Sequence, residues 1–307
     1  MTRAFLAPLL SLWLTLPAWA GTVLVDMLDV GQGDAILVRT AEKTVLIDAG
    51  TAKSHVLAQL KALGVESVDL MISSHPHADH IGGMVEVLNG MPVKLFMDNG
   101  MTHTTKTYQN TMAAVEERGI AYRTATPGST LKLNDEAWFE VLFPTDSLLK
   151  GTRSDLNSNS LVLLLVHKDM DFLLTGDAEE PTEEALLAAG LGQVDVLKVA
   201  HHGSAHSTSR HFLDATRPSI AVISCGADNR YGHPAPDTVA RLKRAQAMVY
   251  RTDLSGHLRL ISNGTEIEVL EGSLAEIAGL SVVNQAPSRE VSKPTSGLST
   301  KKNGRRK

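Results

Sequence analysis

Short apolar segments separated by turns follow one another along most of the chain, and their spacing predicts both strands and helices. Short runs rich in β-branched residues and bounded by glycine or polar residues indicate strands, whereas apolar residues three or four positions apart indicate helices. The predicted strands are 23–28, 35–38, 43–47, 68–72, 93–97, 137–143, 161–166, 171–174, 194–199, 220–224, 248–251, 257–261 and 266–270. The predicted helices are 54–63, 80–88, 107–118, 180–189 and 236–244.

Hairpins and strand–helix alternation occur in both halves of this pattern. Each sheet must bury one face against another layer, so such a pattern favours two mixed sheets packed together with helices outside. We therefore expect an α/β fold.

The two ends of the chain differ from this body. Residues 1–20 combine an early arginine, an apolar stretch and the small-residue pattern Ala18-Trp19-Ala20, which is typical of a cleaved signal peptide. An uncleaved membrane anchor is the alternative, although the apolar stretch is shorter than the ~20 residues that span a bilayer. Residues 275–307 lose periodicity, which predicts a disordered basic tail. We expect a folded domain at 21–274, exported to the periplasm or the medium without stable membrane insertion.

Charge and cysteine content restrict the possible functions. Residues 288–307 carry seven Lys or Arg and one Glu, whereas residues 21–287 carry 21 basic and 33 acidic residues. An acidic body argues against a broad surface for nucleic acid, and the basic tail could supply only a weak one. Cys225 is the single cysteine, which excludes an internal disulfide and a cysteine-rich zinc site. A bound metal would therefore depend mainly on histidine and carboxylate ligands.

The segment at 74–83 reads Ser-His-Pro-His-Ala-Asp-His-Ile-Gly-Gly and concentrates such ligands. Imidazole and carboxylate suit zinc or manganese when no thiolate is present. His75 and His77 follow a predicted strand, so alternate positions can face one ion. Asp79 and His80 begin the next predicted helix and can face a second ion. A histidine-rich surface loop without metal is the alternative interpretation.

Together with this segment, several others resemble the metallo-β-lactamase superfamily. The pattern His-x-His-x-Asp-His-x-Gly is joined by Leu-Ile-Asp-Ala-Gly at 46–50, Leu-Leu-Thr-Gly-Asp at 173–177 and Leu-Lys-Val-Ala-His-His-Gly-Ser at 197–204. Leu-Asp-Val-Gly-Gln-Gly-Asp-Ala at 28–35 and Tyr-Gly-His-Pro at 231–234 are similar to the soluble metallohydrolase domain of ComEC-type DNA-uptake proteins. The resemblance covers roughly residues 22–272.

The resemblance implies a four-layer αβ/βα sandwich with two divalent ions, zinc or manganese, at one edge between the sheets. By the same resemblance, each ion has its own ligands and one carboxylate bridges the pair. The implied metal ligands are His75, His77, Asp79, His80, Asp177 and one histidine of the pair at 201–202, with His201 preferred over His202. Asp48 would contact these ligands and support them without binding an ion itself.

One part of the family pattern is absent. No Gly-His-x-x-Gly turn occurs between His80 and Asp177, so the first ion would lack one imidazole. The segment Ser158-Asn159-Ser160 is the candidate replacement.

The implied activity is hydrolysis of a phosphodiester by a metal-activated hydroxide, with DNA as one candidate substrate. Two divalent ions bring the pKa of a shared water towards ~7. Asp79 would orient the hydroxide, and His233, with His202 or His206 as the alternatives, would stabilise or protonate the departing oxygen. A loop histidine beside Pro234 is an equally good interpretation of His233. Turn chemistry explains Asp253 and His257 almost as well as a functional role.

Two alternatives to a nuclease remain on the sequence alone. One is an envelope enzyme similar to phosphocholine esterases, and the other is a non-catalytic module that binds metal or an envelope component on the same fold. A β-lactamase role is disfavoured because the third-segment histidine is missing. The sequence identifies no protein partner.

Overall fold

The computed structural model describes residues 21–280, so the predicted signal peptide at 1–20 lies outside the described residues. The strands are β1 (Val23–Met27), β2 (Ile36–Arg39), β3 (Thr44–Ile47), β4 (Leu70–Ile72), β5 (Leu95–Asp98), β6 (Ala121–Thr124), β7 (Thr130–Lys132), β8 (Ala137–Phe143), β9 (Val162–His167), β10 (Met170–Leu174), β11 (Val196–Lys198), β12 (Ile220–Ile223), β13 (Met248–Arg251), β14 (His257–Ser262) and β15 (Ile267–Gly272). The helices are α1 (Val56–Ala62), α2 (Ala78–Ile81), α3 (Met84–Gly90), α4 (Lys106–Glu117), α5 (Asp155–Ser158), α6 (Glu180–Ala188), α7 (Arg210–Thr216), α8 (Pro236–Arg244), α9 (Thr252–Ser255) and α10 (Leu274–Gly279), and a 3₁₀ turn spans Ala200–Gly203.

These strands form two mixed sheets. The first has eight strands in the order β15-β14-β1-β2-β3-β4-β5-β6, and the second has seven in the order β13-β12-β11-β10-β9-β8-β7. In the first sheet β3 to β6 run parallel, and in the second β10 to β13 run parallel, while the remaining neighbours are antiparallel. The prediction of an α/β fold with two mixed sheets is confirmed.

Alternation of side chains along the strands produces the layers. On β3, Val45 and Ile47 point into the core between the two sheets, whereas Leu46 points into a second core beneath α1, α3 and α4. On β10, Phe172 points into the central core and Leu173 into a third core beneath α6, α7 and α8. Successive residues of a strand face opposite sides of the sheet, so each strand contributes to two cores. The result is the expected αβ/βα sandwich.

Some elements carry little sequence signal. β6 and β7 lie at the free edges of the two sheets and are mostly exposed, so neither shows an apolar run. The helices α5 and α9 are single turns of four residues. The predicted helix 80–88 is divided at Gly82 and Gly83 into α2 and α3.

The boundary predicted at 274/275 falls inside α10 and needs correction. Ser273 and Glu276 form a reciprocal capping box, and Ile277 is fully buried. A six-residue helix that buries one side chain has no detectable periodicity, although its Ser-x-x-Glu signature could be recognised in the sequence. The rest of the predicted tail, 281–307, lies outside the described residues.

The predicted ligand segments follow strands at one end of both sheets. Asp48 follows β3, His75 follows β4, Asp177 follows β10 and His202 follows β11. All four strands have parallel neighbours, and the carboxyl ends of such strands are where α/β sheets place their sites. Across 21–280, no helix has the length and apolarity needed to cross a membrane.

Candidate metal centre

A first ligand cluster comprises His75, His77 and Asp177. His75 is completely buried, and its Nε2 lies 2.9 Å from Nδ1 of His77 and 3.8 Å from Oδ2 of Asp177. One ligand atom from each of the three residues lies within 4.8 Å of the others. Such spacing is compatible with ligands that share one ion, since bonds of 2.0–2.2 Å to each ligand atom are typical of zinc.

A second cluster comprises Asp79, His80 and His202, again with ligand atoms within 4.8 Å of one another. Asp79 and His80 belong to α2, the single turn that follows the first cluster, and His202 comes from the 3₁₀ turn after β11. Nε2 of His202 is 3.5 Å from Oδ2 of Asp79. His80 and His202 are buried, whereas 28% of the Asp79 side chain is exposed. Each cluster therefore has one partly exposed member, His77 in the first and Asp79 in the second.

Asp177 joins the two clusters through its two carboxylate oxygens. Oδ1 lies 3.2 Å from Nε2 of His80 and 3.5 Å from Nε2 of His202. Oδ2 lies 3.8 Å from Nε2 of His75 and 3.6 Å from Nε2 of His201. Each oxygen thus faces a different pair of histidines, which is the arrangement that a bridging carboxylate between two ions requires.

His202, rather than His201, is grouped with Asp79 in the structure, whereas the resemblance favoured His201 as the ligand. Both residues have left-handed backbone conformations, with φ of 48° at His201 and 54° at His202, and non-glycine residues adopt this region rarely. The two successive left-handed residues turn His202 inwards, where it is 1% exposed. His201 contacts Asn157 and Glu179 as well as Asp177. That either histidine binds an ion stays a prediction.

Asp48 holds the His80 ring in place. Its Oδ2 accepts a hydrogen bond from Nδ1 of His80 at 2.7 Å and one from the Ser74 hydroxyl at 2.6 Å. Its Oδ1 accepts from the Ser74 backbone at 2.8 Å. Since Nδ1 of His80 donates to Asp48, Nε2 is left to face Asp177. A carboxylate behind the ring fixes the tautomer and orientation of a metal-binding histidine.

Behind the second cluster lies a buried ion pair that the sequence did not predict. Asp34 and Lys198 are almost completely buried and form a close ion pair. Oδ1 of Asp34 lies 3.4 Å from Nδ1 of His202, which donates to the Ser224 carbonyl oxygen at 2.9 Å. Both residues occur within the family-like segments 28–35 and 197–204, but nothing in those segments shows that they meet.

The approach of Asp34 depends on Gly33. A Cβ at Gly33 would lie 2.2 Å from the carbonyl oxygen of Asp79, far closer than any carbon side chain tolerates. Gly33 also has φ of 141°, which L side chains rarely adopt. Its neighbour Asp34 donates its backbone N–H to the same Asp79 oxygen at 3.2 Å. Thus the segment that carries Asp34 and the turn that carries Asp79 touch backbone to backbone.

Several buried atoms of the clusters face one another without a hydrogen bond. Among residues 21–280, Oδ1 of Asp177, Nε2 of His80 and Nε2 of His202 lack a hydrogen-bond partner. An unsatisfied buried polar group costs about 1–3 kcal/mol, so such groups call for a ligand or another compensation. Nε2 of both histidines and Oδ1 of Asp177 converge, and imidazole and carboxylate are the donors that divalent ions accept. The residues present therefore fit a metal.

The pKa shifts of His75 and His77 agree with this fit, whereas the surrounding carboxylates raise the pKa values of His80 and His202. Burial lowers the pKa of His75 well below its usual range, and burial lowers that of His77 too. Both rings are therefore neutral at pH 7, as metal binding requires. Burial acts to lower the pKa of His202 as well, but Asp177 and Asp34 outweigh burial and raise it to about 9. A proton on His202 compensates these carboxylates as a cation would.

His233 lies at the rim of the centre. Its ring is 5.5 Å from that of His201 and 6.4 Å from that of His202, and the exposed Tyr231 stacks almost parallel to it at 5.9 Å. Burial, together with His201 and His202, lowers the pKa of His233 to about 4. A neutral ring at pH 7 is suited to donating a hydrogen bond to substrate rather than to transferring a proton. Its predicted catalytic role stays a prediction.

The segment expected to replace the missing histidine has mainly structural contacts. Asn159 bonds to Leu149 and Asp155 through its amide, and the hydroxyl of Ser160 accepts the backbone N–H of Asp177 at 3.1 Å. The neighbouring Asn157 contacts a candidate ligand, since its Nδ2 lies 3.3 Å from Nδ1 of His201. Neither Asn157 nor Glu179 was predicted, because a lone amide and a carboxylate after the motif carry no specific signal.

The remaining candidates lie away from the centre. Nε2 of His257 lies 3.0 Å from Oδ1 of Asp26, beneath β1, and Asp253 binds Arg251 and Cys225. These contacts are structural, in agreement with the alternative interpretation of the Thr-Asp-x-x-Gly-His stretch.

The chain is similar in sequence to several known proteins. The model of the metallo-β-lactamase superfamily matches residues 28–227, and the chain belongs to that superfamily. It is 32% identical over 257 residues to ComE operon protein 3 of Bacillus subtilis, covering 76% of this chain and 32% of that protein. It is 36% identical over 260 residues to recombination protein 2 of Haemophilus influenzae, covering 80% and 29%.

A third relative is competence protein ComA of Neisseria gonorrhoeae, 33% identical over 242 residues that cover 76% of this chain and 32% of the relative. The similarity to ComEC-type proteins is thereby confirmed. The chain spans about a third of the length of these curated relatives.

Solved structures support the fold. A diiron β-hydroxylase, CmlA from Streptomyces venezuelae, superposes with a TM-score of 0.53 at 15% identity, covering 81% of this chain and 54% of that chain. The metallo-β-lactamase fold protein YhfI from Bacillus subtilis has a TM-score of 0.51 at 11% identity, covering 77% and 99%. Members of this fold bind divalent metals, which agrees with the His and Asp clusters found here.

Proposed function

We propose that this protein is an exported phosphodiesterase that cleaves nucleic acid at a centre of two divalent ions, zinc or manganese. The observation that carries this proposal is Asp177, whose two oxygens face separate histidine pairs at 3.2–3.8 Å. A carboxylate shared in this way matches two-ion hydrolases, in which both ions act on one phosphoryl group. Export is proposed on the sequence of residues 1–20 alone.

Bound ions would supply an activated water and a polarised phosphoryl oxygen. The residues around them would then orient the reactants. Burial raises the pKa of Asp79, but His202 and His80 outweigh burial and lower it well below its usual value, so the carboxylate is ionised. Because part of Asp79 is exposed, it can accept a hydrogen bond from an incoming water. His233, at the rim, can donate one to an oxygen of the substrate.

The rim of the centre favours a nucleotide over a choline ester. Tyr231 is 55% exposed and offers an aromatic surface beside His233. Choline groups bind aromatic rings through cation–π contacts. Here the guanidinium carbon of Arg230 already lies 5.1 Å from the centroid of Tyr231. A second cation on this ring would be repelled, whereas a base with its phosphate gains from both side chains.

The relatives point in the same direction. One of them is named a competence protein and another a recombination protein, which makes DNA the first substrate to test. The acidic body of the chain favours short or single-stranded DNA over long duplex.

Metal analysis followed by an activity screen tests the proposal. We expect close to two equivalents of divalent metal in the purified protein, and turnover of bis-p-nitrophenyl phosphate and short DNA that is lost after chelation and restored by zinc or manganese. RNA and glycerophosphocholine serve as competing substrates. Bound metal without hydrolysis of any phosphodiester, with each of several divalent ions, would instead support a non-catalytic module.

A further inference from the structure

The two imidazoles of the second cluster each have a carboxylate at both ring nitrogens. Oδ1 of Asp177 faces Nε2 of His80 at 3.2 Å and Nε2 of His202 at 3.5 Å. At the opposite nitrogens, Oδ2 of Asp34 lies 3.8 Å from Nδ1 of His80, and Oδ1 of Asp34 lies 3.4 Å from Nδ1 of His202. Both carboxylates are buried, so water and salt screen their charges only weakly.

Asp34 is close enough to these ligands to bind an ion itself. One ligand atom each from Asp34, His80 and Asp177 lies within 4.8 Å of the others, which is the same limit that defines the two clusters described above. An ion at this position would use His80 and Asp177, and both are also needed for the second cluster. Asp34 therefore belongs to a third group of potential ligands that competes with the second cluster.

Lys198 already supplies a positive charge to Asp34. Its side chain is completely buried, and its ammonium group forms a close ion pair with Oδ2 of Asp34. The same ammonium group donates a hydrogen bond at 3.2 Å to the carbonyl oxygen of Gly176, whose peptide bond leads to Asp177. A buried charge is costly unless it is paired and hydrogen-bonded, and these two contacts meet that requirement.

Both partners of this ion pair are held in place by their backbones. Lys198 is the last residue of β11, which pairs with β10 on one side and β12 on the other. The backbone N–H of Asp34 donates to the carbonyl oxygen of Asp79 at 3.2 Å, and the preceding Gly33 accepts the Ser224 hydroxyl at 2.7 Å. Removing the charge of one partner should therefore leave the charge of the other in the same position.

We propose that Lys198 is a fixed internal cation that neutralises Asp34, and that it thereby keeps Asp34 from binding a metal ion and sets the affinity of the second cluster for its ion. Lys198 is a positioning residue, because it acts through Asp34 on His80 and His202. The inference rests on the metal centre of the proposed function, but it does not depend on which phosphodiester is cleaved.

The two partners of the pair should have opposite effects on metal binding. Zinc is titrated into the metal-free protein in competition with a chromophoric chelator, which gives a dissociation constant for each ion. We expect Lys198→Met to lower one of these constants about tenfold, because Asp34 becomes an additional anion beside the ion. We expect Asp34→Asn to raise the same constant about tenfold, because the ammonium group loses its counter-charge.

The double variant Lys198→Met with Asp34→Asn removes both charges. Its zinc constants should return to within about threefold of the wild-type values if charge is what matters. Asp26→Asn is the matched control, because it removes a buried carboxylate from the other charged cluster, and both zinc constants should stay unchanged.

A purely structural role would give a different pattern. Weaker zinc binding in both single variants, or unchanged constants in both, overturns the inference. If a single variant does not fold, the double variant decides: a folded protein with the zinc constants of the wild type supports the neutralisation of Asp34, and a tenfold loss of affinity overturns it.

Hydrolysis is measured separately on the same proteins. If the zinc constants shift as expected but no phosphodiester is cleaved, the role of Lys198 stands and the phosphodiesterase proposal fails. Cleavage by a protein whose zinc constants respond to neither substitution gives the reverse result. A wild-type protein that binds no divalent ion overturns both proposals.

Discussion

Asp26 and Asp177 are both buried carboxylates surrounded by basic side chains, yet their oxygens are used in different ways. Oδ1 of Asp26 accepts hydrogen bonds from His257 at 3.0 Å and Arg259 at 2.6 Å, and Oδ2 accepts one from Arg39 at 2.9 Å. Oδ1 of Asp177 has no hydrogen-bond partner within residues 21–280, although two histidines lie within 3.5 Å. We call the cluster around Asp26 closed and the cluster around Asp177 open.

The difference separates a structural role from a functional one. Around Asp26 the positive charges come from the protein itself, so nothing further is needed to balance the carboxylate. Around Asp177 the neighbours are imidazoles, which can give up their protons to make room for a cation. Burial and proximity of charged groups are common to both clusters. What identifies the candidate metal centre is a set of convergent imidazole and carboxylate atoms that make no hydrogen bond within residues 21–280.

The largest expected effect comes from breaking the open cluster. Asp177→Ala and His77→Ala should each lower the turnover of bis-p-nitrophenyl phosphate by more than ~10³-fold, since each removes a ligand from the centre. The far-UV circular dichroism spectrum should be unchanged, because the folded core does not depend on a bond of either side chain. Metal content should fall in both variants. Full activity in either variant would refute the centre described here.

Breaking the closed cluster should instead destabilise the folded protein. Asp26→Ala removes the carboxylate that the buried Arg39 and Arg259 both contact, and we expect the free energy of unfolding in urea to fall by about 3–5 kcal/mol. Asp135→Asn, in an exposed pair with Lys132, is the matched control and should show no measurable change. If Asp26→Ala remained as stable as the control but lost its metal, the assignment of the two clusters would have to be exchanged.

Acid should weaken the closed cluster in a defined range of pH. Burial acts to raise the pKa of Asp26, but His257, Arg259 and Arg39 outweigh burial and lower it. A carboxyl with a lowered pKa stabilises the folded state above its unfolded value of ~3.9, and this stabilisation is lost as the pH falls towards the folded value. The free energy of unfolding in urea, measured on the metal-free protein, should therefore fall more steeply between pH 7 and pH 3 for the wild type than for Asp26→Asn. Equal slopes would show that Asp26 is not held by these partners.

The smallest effect concerns Cys225. Burial and the neighbouring Asp253 raise the pKa of its thiol to about 12, so almost no thiolate exists at pH 8. We expect no alkylation by iodoacetamide in the folded protein over an hour, and complete alkylation in denaturant. Rapid reaction of the native protein would mean that the region beside β12 opens readily.

The two sheets, most of the larger helices and the positions of the ligand segments could be predicted from the sequence. Apolar periodicity identifies strands such as β8 and β9, and the His-x-His-x-Asp-His pattern identifies four of the ligand candidates directly. The choice between His201 and His202 could not be made in this way, because it depends on two successive left-handed residues in the turn after β11.

Long-range pairing was equally hidden in the sequence. Asp34 and Lys198 are separated by more than half the chain, and each alone looks like an ordinary charged residue. Only the packing of one sheet against the other brings them together behind His202. In the same way, β6 and β7 exist because neighbouring strands provide hydrogen bonds, and their own side chains contribute little burial.

The contact at Gly33 sets the distance between the segment that carries Asp34 and the turn that carries Asp79. The segment that bears Asp34 rests on the carbonyl oxygen of Asp79, so the gap between them is fixed by the missing side chain of one glycine. A methyl group added at Gly33 would push the segment of Asp34 away from the turn of Asp79 without replacing any candidate ligand. The dimensions of the centre therefore depend on Gly33, a residue without a side chain that could bind a metal or substrate.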